Sequence, residues 1–322
     1  MNASAIMFTR HRRAELLPVE VDPTPLAPNQ VAGKTIASLI SPGTELNAGF
    51  LGDIFPRRTG YAAVFRVEEV GEEVHRLRPG DLVYCMAPHQ SFQRVPEEDA
   101  LPVPEGLSPF EAVFARLIGV SMSTLTTTTS RPPQRVLVTG LGIIGNLAAQ
   151  VFQACGYEVI ACDPSEVRRQ MAHTASITHT CTAVPVEDLA GTVALVVECS
   201  GNEQALLDGC SVVCKRGEVV LVGVPWRRQT ELSAFDLTDV IFHRYVVVRS
   251  GREWEVPLFP QEFRTGSIHE NQRGALNWLA QGKISVKGLY DQASPADCQQ
   301  VYEHLLDVHW HGLTAVFVWE RI

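Results

Sequence analysis

A glycine-rich turn between an apolar strand and an apolar helix is the feature that most restricts how this chain can fold. Gly140, Gly142 and Gly145 form a G-x-G-x-x-G pattern directly after an apolar run. Apolar residues then recur at helical spacing as far as Cys155, and a second apolar run ends at Asp163. A strand, a glycine turn, a helix and a second strand in this order predict a βαβ unit within a parallel sheet.

Glycines in this pattern are typical of dinucleotide-binding proteins. One permits a tight turn, one lets the backbone approach a pyrophosphate, and one lets the helix pack closely against the strand. The helix then presents free N–H groups and its positive dipole end to the phosphates. We therefore predict that the first helical residues, Ile143 and Ile144, belong to the cofactor site with the three glycines.

Asp163 stands 18 residues beyond Gly145, at the end of the second strand. A carboxylate there can accept hydrogen bonds from both adenosine ribose hydroxyls and would repel the extra phosphate of NADP. The sequence therefore favours NAD(H) over NADP(H), with Pro164 beside the same site. Arg168 and Arg169 follow in the next helix and leave NADP open, because a guanidinium can bind a 2′-phosphate.

Two later apolar runs end in segments that also suit a cofactor site, because ligands of parallel sheets lie at the carboxyl ends of strands. One run ends in Cys199, Ser200 and Gly201, and the next ends in Val222, Gly223 and Val224. Backbone groups there would line the ribose and the nicotinamide. An equally good interpretation is that both are ordinary strand ends.

Length and composition limit the number of domains and the class of protein that this chain can form. At 322 residues the chain is long enough for about two domains, and its 45% hydrophobic content excludes general disorder. The net charge of −9 argues against nucleic acid as a partner. The sequence has no apolar run long enough to span a membrane and no secretory signal, and its eight scattered cysteines suit a reducing compartment. We expect a soluble cytoplasmic protein with a small-molecule substrate.

The pattern of predicted secondary structure changes at about residue 135. Short β segments separated by proline and glycine turns fill the first third and predict an antiparallel, barrel-like domain. From about residue 135, apolar strands alternate with helices, which predicts a parallel sheet covered on both faces. The apolar strand 314–319 could return to the first domain. The fold class is therefore α/β, with a β-rich domain and a doubly wound parallel-sheet domain.

Taken together, these blocks resemble the medium-chain dehydrogenase/reductase superfamily over essentially the whole chain. The segments SPGTEL, TGYAAVFRVEEVG, LRPGDLV, LVTGLGIIG, VVECSGN and LNWLAQGKI are each similar to its recurrent blocks. The resemblance implies a GroES-like catalytic domain at 1–119, a Rossmann domain at 120–255, a return segment at 256–322 and a homodimer. The SPGTEL and GYA blocks most resemble a zinc-lacking branch that includes 2-desacetyl-2-hydroxyethyl bacteriochlorophyllide a dehydrogenase.

This sequence differs from the zinc-binding members of the family at the positions where those members carry their zinc ligands. Pro42 stands where they carry a ligating cysteine, and Tyr61 stands where they carry the histidine. The third ligand position falls on Arg116, or on Ile118 if the register differs by two. None of these side chains is a usual zinc ligand, and the four-cysteine structural lobe is also missing after Cys85. We therefore expect no zinc.

Without a metal, hydrogen-bond donors must stabilise the charge that builds on a carbonyl oxygen during hydride transfer. The resemblance makes Tyr61 the candidate proton donor and acceptor, Thr44 a hydroxyl relay, and Glu45 a carboxylate that orients Tyr61 or pairs with Arg116. Arg116 would stabilise an oxyanion or clamp a substrate carboxylate, or else form a structural salt bridge with Glu45 or Glu111.

Three histidines complete the candidates. His89 is expected at the surface, with the rim of the cleft as the alternative. The i, i+2 spacing of His309 and His311 would suit a metal on a strand, but a loop before the final strand is favoured. The function these observations favour is zinc-independent, NAD(H)-dependent interconversion of a secondary alcohol and a ketone. An NADPH-dependent enoyl or quinone reductase and a non-catalytic dinucleotide-binding regulator stay open as alternatives.

Overall fold

A computed structural model describes residues 2–22, 24–264, 266–307 and 312–320. His309 and His311 lie outside the described residues. The chain divides into two compact units, of which the first comprises 1–116, 276–281 and 286–322, and the second comprises 117–275 and 282–285. In this division residues 256–275 lie in the second unit, although the resemblance implied that they belong to the return segment. The reason is a long helix, Ile268–Ala280, that begins in one unit and ends in the other.

The strands are β1 Asn2–Arg10, β2 Arg13–Glu20, β3 Gln30–Leu39, β4 Arg57–Arg58, β5 Ala63–Val70, β6 Leu82–Cys85, β7 Phe92–Pro96, β8 Leu101–Pro102, β9 Arg135–Thr139, β10 Glu158–Cys162, β11 Thr180–Cys181, β12 Val193–Glu198, β13 Val213–Leu221, β14 Val247–Ser250, β15 Tyr290–Ala293 and β16 Thr314–Val318. The α-helices are α1 Pro42–Thr44, α2 Pro109–Ala112, α3 Ala115–Thr127, α4 Ile143–Ala154, α5 Glu166–Thr174, α6 Val186–Leu189, α7 Glu203–Val212, α8 Ala234–Arg244, α9 Ile268–Ala280 and α10 Cys298–Leu306. A π-helix spans Glu45–Phe50, and 3-10 turns span Glu97–Asp99, Glu253–Glu255 and Pro295–Asp297.

The second unit is built on a six-stranded parallel sheet with the order β11-β10-β9-β12-β13-β14. Successive side chains of β9 enter different cores, because Val136 and Val138 belong to one apolar cluster and Leu137 to another. Both faces of the sheet are therefore covered, as the apolar strand runs predict. Counted from β9, the strand order is 3-2-1-4-5-6, which is the Rossmann arrangement. Strands β10 and β11 lie on one side of β9 and strands β12 to β14 lie on its other side, so the strand order reverses between β9 and β12.

The first unit contains a seven-stranded mixed sheet in which β15, β16, β3, β5, β6 and β8 follow one another and β7 pairs with β3. A second sheet has the order β2-β1-β4. As predicted, β16 returns to this unit, where Val316 pairs with Leu39 of β3. A core of large aromatic side chains lies beside β1, the π-helix and α10, and includes Phe8, Phe50 and Tyr302.

The predicted fold class is confirmed by these two units, one rich in β-strands and one doubly wound. No helix in the described ranges is both long enough and apolar enough to cross a bilayer.

Candidate active site

The glycine turn after β9 adopts the conformation that its sequence requires. Gly140 has a φ of +81°, and a Cβ there would lie 2.8 Å from Cα of Ser200. A Cβ on Gly145 would lie 1.7 Å from the carbonyl oxygen of Gly140, so only glycine lets α4 approach the turn this closely. A Cβ built on Gly142, by contrast, would have no heavy atom within 4 Å apart from those of the adjoining chain. This glycine faces open space, which is where a ligand can approach the backbone.

Helix α4 begins at this open position. Gly142 is its N-cap residue and no side chain caps it, so the first helical N–H groups are not satisfied by a capping oxygen. Ile143 is buried and Ile144 is half-buried, so both anchor the first turn. An uncapped helix N-terminus beside a glycine with open surroundings is suited to binding a phosphate group.

Asp163 follows β10 and is more enclosed than the sequence suggested, with an exposed fraction of 2%. Its Oδ2 accepts from the backbone N–H of Leu141 at 2.7 Å, and its Oδ1 accepts from that of Ser165 at 2.8 Å. The carboxylate therefore fixes the glycine turn as well as the start of α5. Arg168 Nη1 lies 3.4 Å from Oδ2, and its side chain is 45% exposed. Pro164, next to Asp163, is exposed.

The segments after β12 and β13 meet by close backbone contact. A Cβ on Gly223 would lie 2.5 Å from the amide nitrogen of Gly201, and one on Gly201 would lie 2.8 Å from the carbonyl oxygen of Val224. Cys199 and Val222 are half-buried, whereas Ser200 and Val224 are exposed. These predicted residues therefore adjoin the glycine turn at the point where the strand order reverses.

Glu198 organises this region and was missed as a site residue in the sequence analysis. Its carboxylate accepts from the backbone N–H of Ser200 at 2.7 Å and from that of Gly201 at 3.0 Å. Burial raises the pKa of this carboxyl group, although the hydrogen bonds from Ser200, Gly201 and Thr139 oppose the shift. The signal available in the sequence is an acidic residue that closes an otherwise apolar strand.

In the first unit, Tyr61 lies beneath a guanidinium group. Cζ of Arg116 is 4.6 Å from the centroid of the Tyr61 ring, and Arg116 is 6% exposed. This is a cation–π contact in a largely desolvated place. Burial raises the pKa of Tyr61, while the charge of Arg116 and hydrogen bonds with Ser41 and Thr44 oppose the rise. The phenol is therefore protonated at neutral pH and has a cation over its ring.

Tyr61 and Thr44 also line a cavity of about 60 Å³ in the first unit. Arg57, Arg58 and Glu45 contribute to the same cavity. Three of the four predicted catalytic residues, Thr44, Glu45 and Tyr61, therefore come together here, and Arg116 contacts one of them.

Glu45 is held by several buried partners. Its Oε1 accepts from the backbone N–H of Ser41 at 2.8 Å, and its Oε2 accepts from the hydroxyls of Thr59 and Tyr302, both at 2.6 Å. His89 Nε2 lies 3.1 Å from the same oxygen. The predicted roles of Glu45 toward Tyr61 and Arg116 stay predictions.

His89 is fully buried, so its predicted surface position is wrong. Its Nδ1 is 2.7 Å from the hydroxyl of Ser38, which also accepts from Trp319 Nε1 at 2.8 Å. Burial alone would raise the pKa of Glu45, but the charge of His89 and the hydrogen bonds to Glu45 hold it below its ordinary value. Glu45 is therefore an ionised group fixed inside the first unit.

Known proteins resemble this chain in sequence and in fold. The profile of the family described as Zinc-binding dehydrogenase matches residues 144–264. Alcohol dehydrogenase of Geobacillus stearothermophilus is 24% identical over 53% of this chain, and L-galactonate-5-dehydrogenase of Escherichia coli is 29% identical over 66% of it. The chain spans 61% and 59% of the length of these two relatives.

Acetophenone reductase of Geotrichum candidum, solved in complex with NAD, superposes with a TM-score of 0.78 at 15% identity, covering 98% of this chain and 97% of the reductase. Other structures of the same fold hold NADP or NADH. These solved structures share the fold of this chain. Membership of the medium-chain dehydrogenase/reductase superfamily, and of its zinc-lacking branch, stays a prediction. The residues that the profile matches lie within the second unit.

Proposed function

We propose that this chain is a medium-chain dehydrogenase/reductase that interconverts a secondary alcohol and a ketone on a small organic metabolite, with NAD(H) as cofactor and without zinc. The observation that carries the proposal is the protonated phenol of Tyr61, held 4.6 Å beneath the guanidinium of Arg116. A weak acid with an adjacent cation can give its proton to a developing alkoxide, because the cation stabilises the phenolate that remains.

The residues of the second unit fit a dinucleotide. Gly142 and the uncapped start of α4 would hold the pyrophosphate, and Asp163 would face the adenosine ribose. When bound, NAD(H) supplies or accepts the hydride. The backbone groups of Cys199, Ser200 and Gly201, with those of Val222, Gly223 and Val224, would line the rest of the cofactor.

The choice of NAD(H) rests on the charge of Asp163. Its carboxylate would repel a 2′-phosphate, whereas Arg168 lies 3.4 Å away and would attract one. The carboxylate is fixed by two backbone N–H groups, but the arginine is 45% exposed and can turn away. We therefore assign the dominant effect to Asp163.

The chemistry of the first unit follows from its hydroxyl groups. In the direction of ketone reduction, Tyr61 would give its proton to the substrate oxygen, and Thr44, which lines the same cavity, would offer a route for its replacement. In the direction of alcohol oxidation, the proton returns along the same groups. Glu45 would act as a positioning residue for the segment 41–45, because its Oε1 accepts from the backbone N–H of Ser41.

The residues at the metal positions do not fit zinc. Pro42 has no donor side chain, Arg116 is cationic, and a tyrosine that stays protonated is a poor ligand. No step of the proposed reaction therefore passes through a metal. A homodimer, which the resemblance implies, also stays a prediction.

Replacing Tyr61 by Phe tests the proposal. After dialysis against EDTA, the wild-type protein should reduce members of a ketone panel with NADH, and Tyr61→Phe should lower turnover by roughly 10²- to 10⁴-fold without changing NADH affinity. Tyr290→Phe, which alters a half-buried tyrosine of β15, is the matched control. Equal turnover in wild type and Tyr61→Phe would remove Tyr61 from the mechanism, and a saturated carbonyl product would favour the C=C reductase instead.

A further inference from the structure

We propose that the cavity beside Tyr61 is a subsite for one anionic end group of the substrate, a carboxylate or a phosphate, bound by Arg57 and Arg58. This inference rests on the proposed function, because it names the class of alcohol on which Tyr61 would act. It would restrict that class to molecules with a negative charge near the reacting carbon.

The cavity has room for a small ligand group. Its volume of about 60 Å³ is several times the roughly 10–15 Å³ that a single water molecule requires on the same measure. A carboxylate or a phosphate group can therefore enter it beside Tyr61.

The donors at the cavity are positioned by contacts that use only part of their capacity. Nη1 of Arg57 donates to the carbonyl oxygen of Ala48 at 2.6 Å, and Nη1 of Arg58 donates to Oε1 of Gln90 at 3.5 Å. A guanidinium carries five N–H donors, so each contact orients the group and leaves others for a ligand. Arginine side chains are the usual means of binding carboxylate or phosphate oxygens through two parallel N–H donors.

The electrostatics also favour an anion. Glu45 is the acidic residue among those lining the cavity, and its two oxygens already accept from the buried partners described above. Within the described part of the chain, no carboxylate oxygen lies within 4.0 Å of a nitrogen of either Arg57 or Arg58. The charge of Arg116 over the Tyr61 ring adds to the positive potential. Because the whole chain has a net charge of −9, such a local cationic site is needed if an anionic substrate is to bind.

Calorimetric titration of the full chain tests the subsite. Glycolate is the carboxylate probe, inorganic phosphate is the second probe, and ethylene glycol is the neutral analogue. Each titration is repeated with saturating NADH, so that phosphate bound at the glycine turn is displaced and not counted. Wild type should bind at least one of the anions and not ethylene glycol, and the preferred anion identifies the end group.

Arg57→Gln and Arg58→Gln should each weaken that binding by roughly 10- to 100-fold, because each removes a charge-assisted contact. Arg57→Lys and Arg58→Lys should lose less, since they keep the charge. Arg78→Gln, an exposed arginine of the same unit away from the cavity, is the matched control and should bind like wild type.

Two results would overturn the subsite: binding of neither anion to wild type, or equal binding to wild type and to the Arg57→Gln/Arg58→Gln double variant. Failure of the proposed function gives different readouts, namely no NADH binding or unchanged turnover in Tyr61→Phe. A protein that reduces neutral ketones but ignores both anions would therefore refute the subsite alone.

Discussion

Gly142 and Gly145 lie three residues apart, yet the structure predicts opposite consequences for replacing each by alanine. A methyl group on Gly145 would lie 1.7 Å from the carbonyl oxygen of Gly140, whereas one on Gly142 would meet nothing within 4 Å. Real Cβ atoms do not approach backbone oxygens to 1.7 Å, so Gly145→Ala must displace the start of α4 or the turn after β9. Overpacking of this kind costs about 1–3 kcal/mol of folding free energy.

Gly142→Ala should instead change stability by less than about 1 kcal/mol, because the φ of Gly142 is −60° and only its N-cap preference is lost. Its methyl group would occupy the space through which a pyrophosphate reaches the backbone. We expect NADH affinity to fall by roughly 10- to 100-fold, the equivalent of one lost charge-assisted contact.

Urea denaturation followed by circular dichroism measures the first effect, and quenching of intrinsic fluorescence by NADH measures the second. Gly145→Ala should show the larger shift in the denaturation midpoint, and Gly142→Ala should unfold close to wild type. The reasoning would be refuted if Gly142→Ala bound NADH as tightly as wild type, or if the two variants were equally destabilised.

Two further predictions concern charged groups. Tyr302→Phe should lower the free energy of unfolding by about 1.5–3 kcal/mol above pH 4.5, where Glu45 is ionised in both the folded and the unfolded chain. This loss should shrink as the pH falls through the lowered folded-state pKa of Glu45. The control is Tyr157→Phe, which loses a hydrogen bond to the neutral carbonyl of Ser130, so its loss of unfolding free energy should not vary with pH over that range. Parallel pH profiles for the two variants would contradict the role assigned to ionised Glu45. Wild type should bind NADH more tightly than NADPH. Arg168→Ala should widen that preference, because it removes the cation 3.4 Å from Asp163 that would attract the 2′-phosphate of NADPH. Tighter binding of NADPH in a fluorescence titration would contradict the role of Asp163.

The sequence was sufficient to predict the second unit because its signals are local. The apolar runs, the glycine turn and Asp163 fall within about 30 consecutive residues, and each strand expected from residue 135 onward is present.

The interior of the first unit could not be predicted in this way. His89 is 44 residues from Glu45, and Tyr302 is 257 residues from it, so no spacing rule connects them. An isolated histidine after Pro88 resembles a surface residue in sequence, and only the tertiary fold brings it to Ser38 and Glu45. The enclosure of Asp163 was missed for a similar reason, because its bond to Leu141 depends on how the glycine turn folds back.

The discontinuity of the first unit has a consequence during protein synthesis. Thr314 in β16 donates to the carbonyl oxygen of Ile40 across 274 residues of chain, so β3 stays without this neighbour until almost the whole chain has been translated. At about 5–20 residues per second, the interval is on the order of tens of seconds. An unpaired strand edge invites association with other chains over that time. Residues 117–275 of the second unit, in contrast, are contiguous and can be complete on the ribosome first. A nascent chain can therefore contain a folded second unit while the sheet of the first unit still lacks β16, and we expect chaperone protection to matter most at the edge of β3 that β16 later covers.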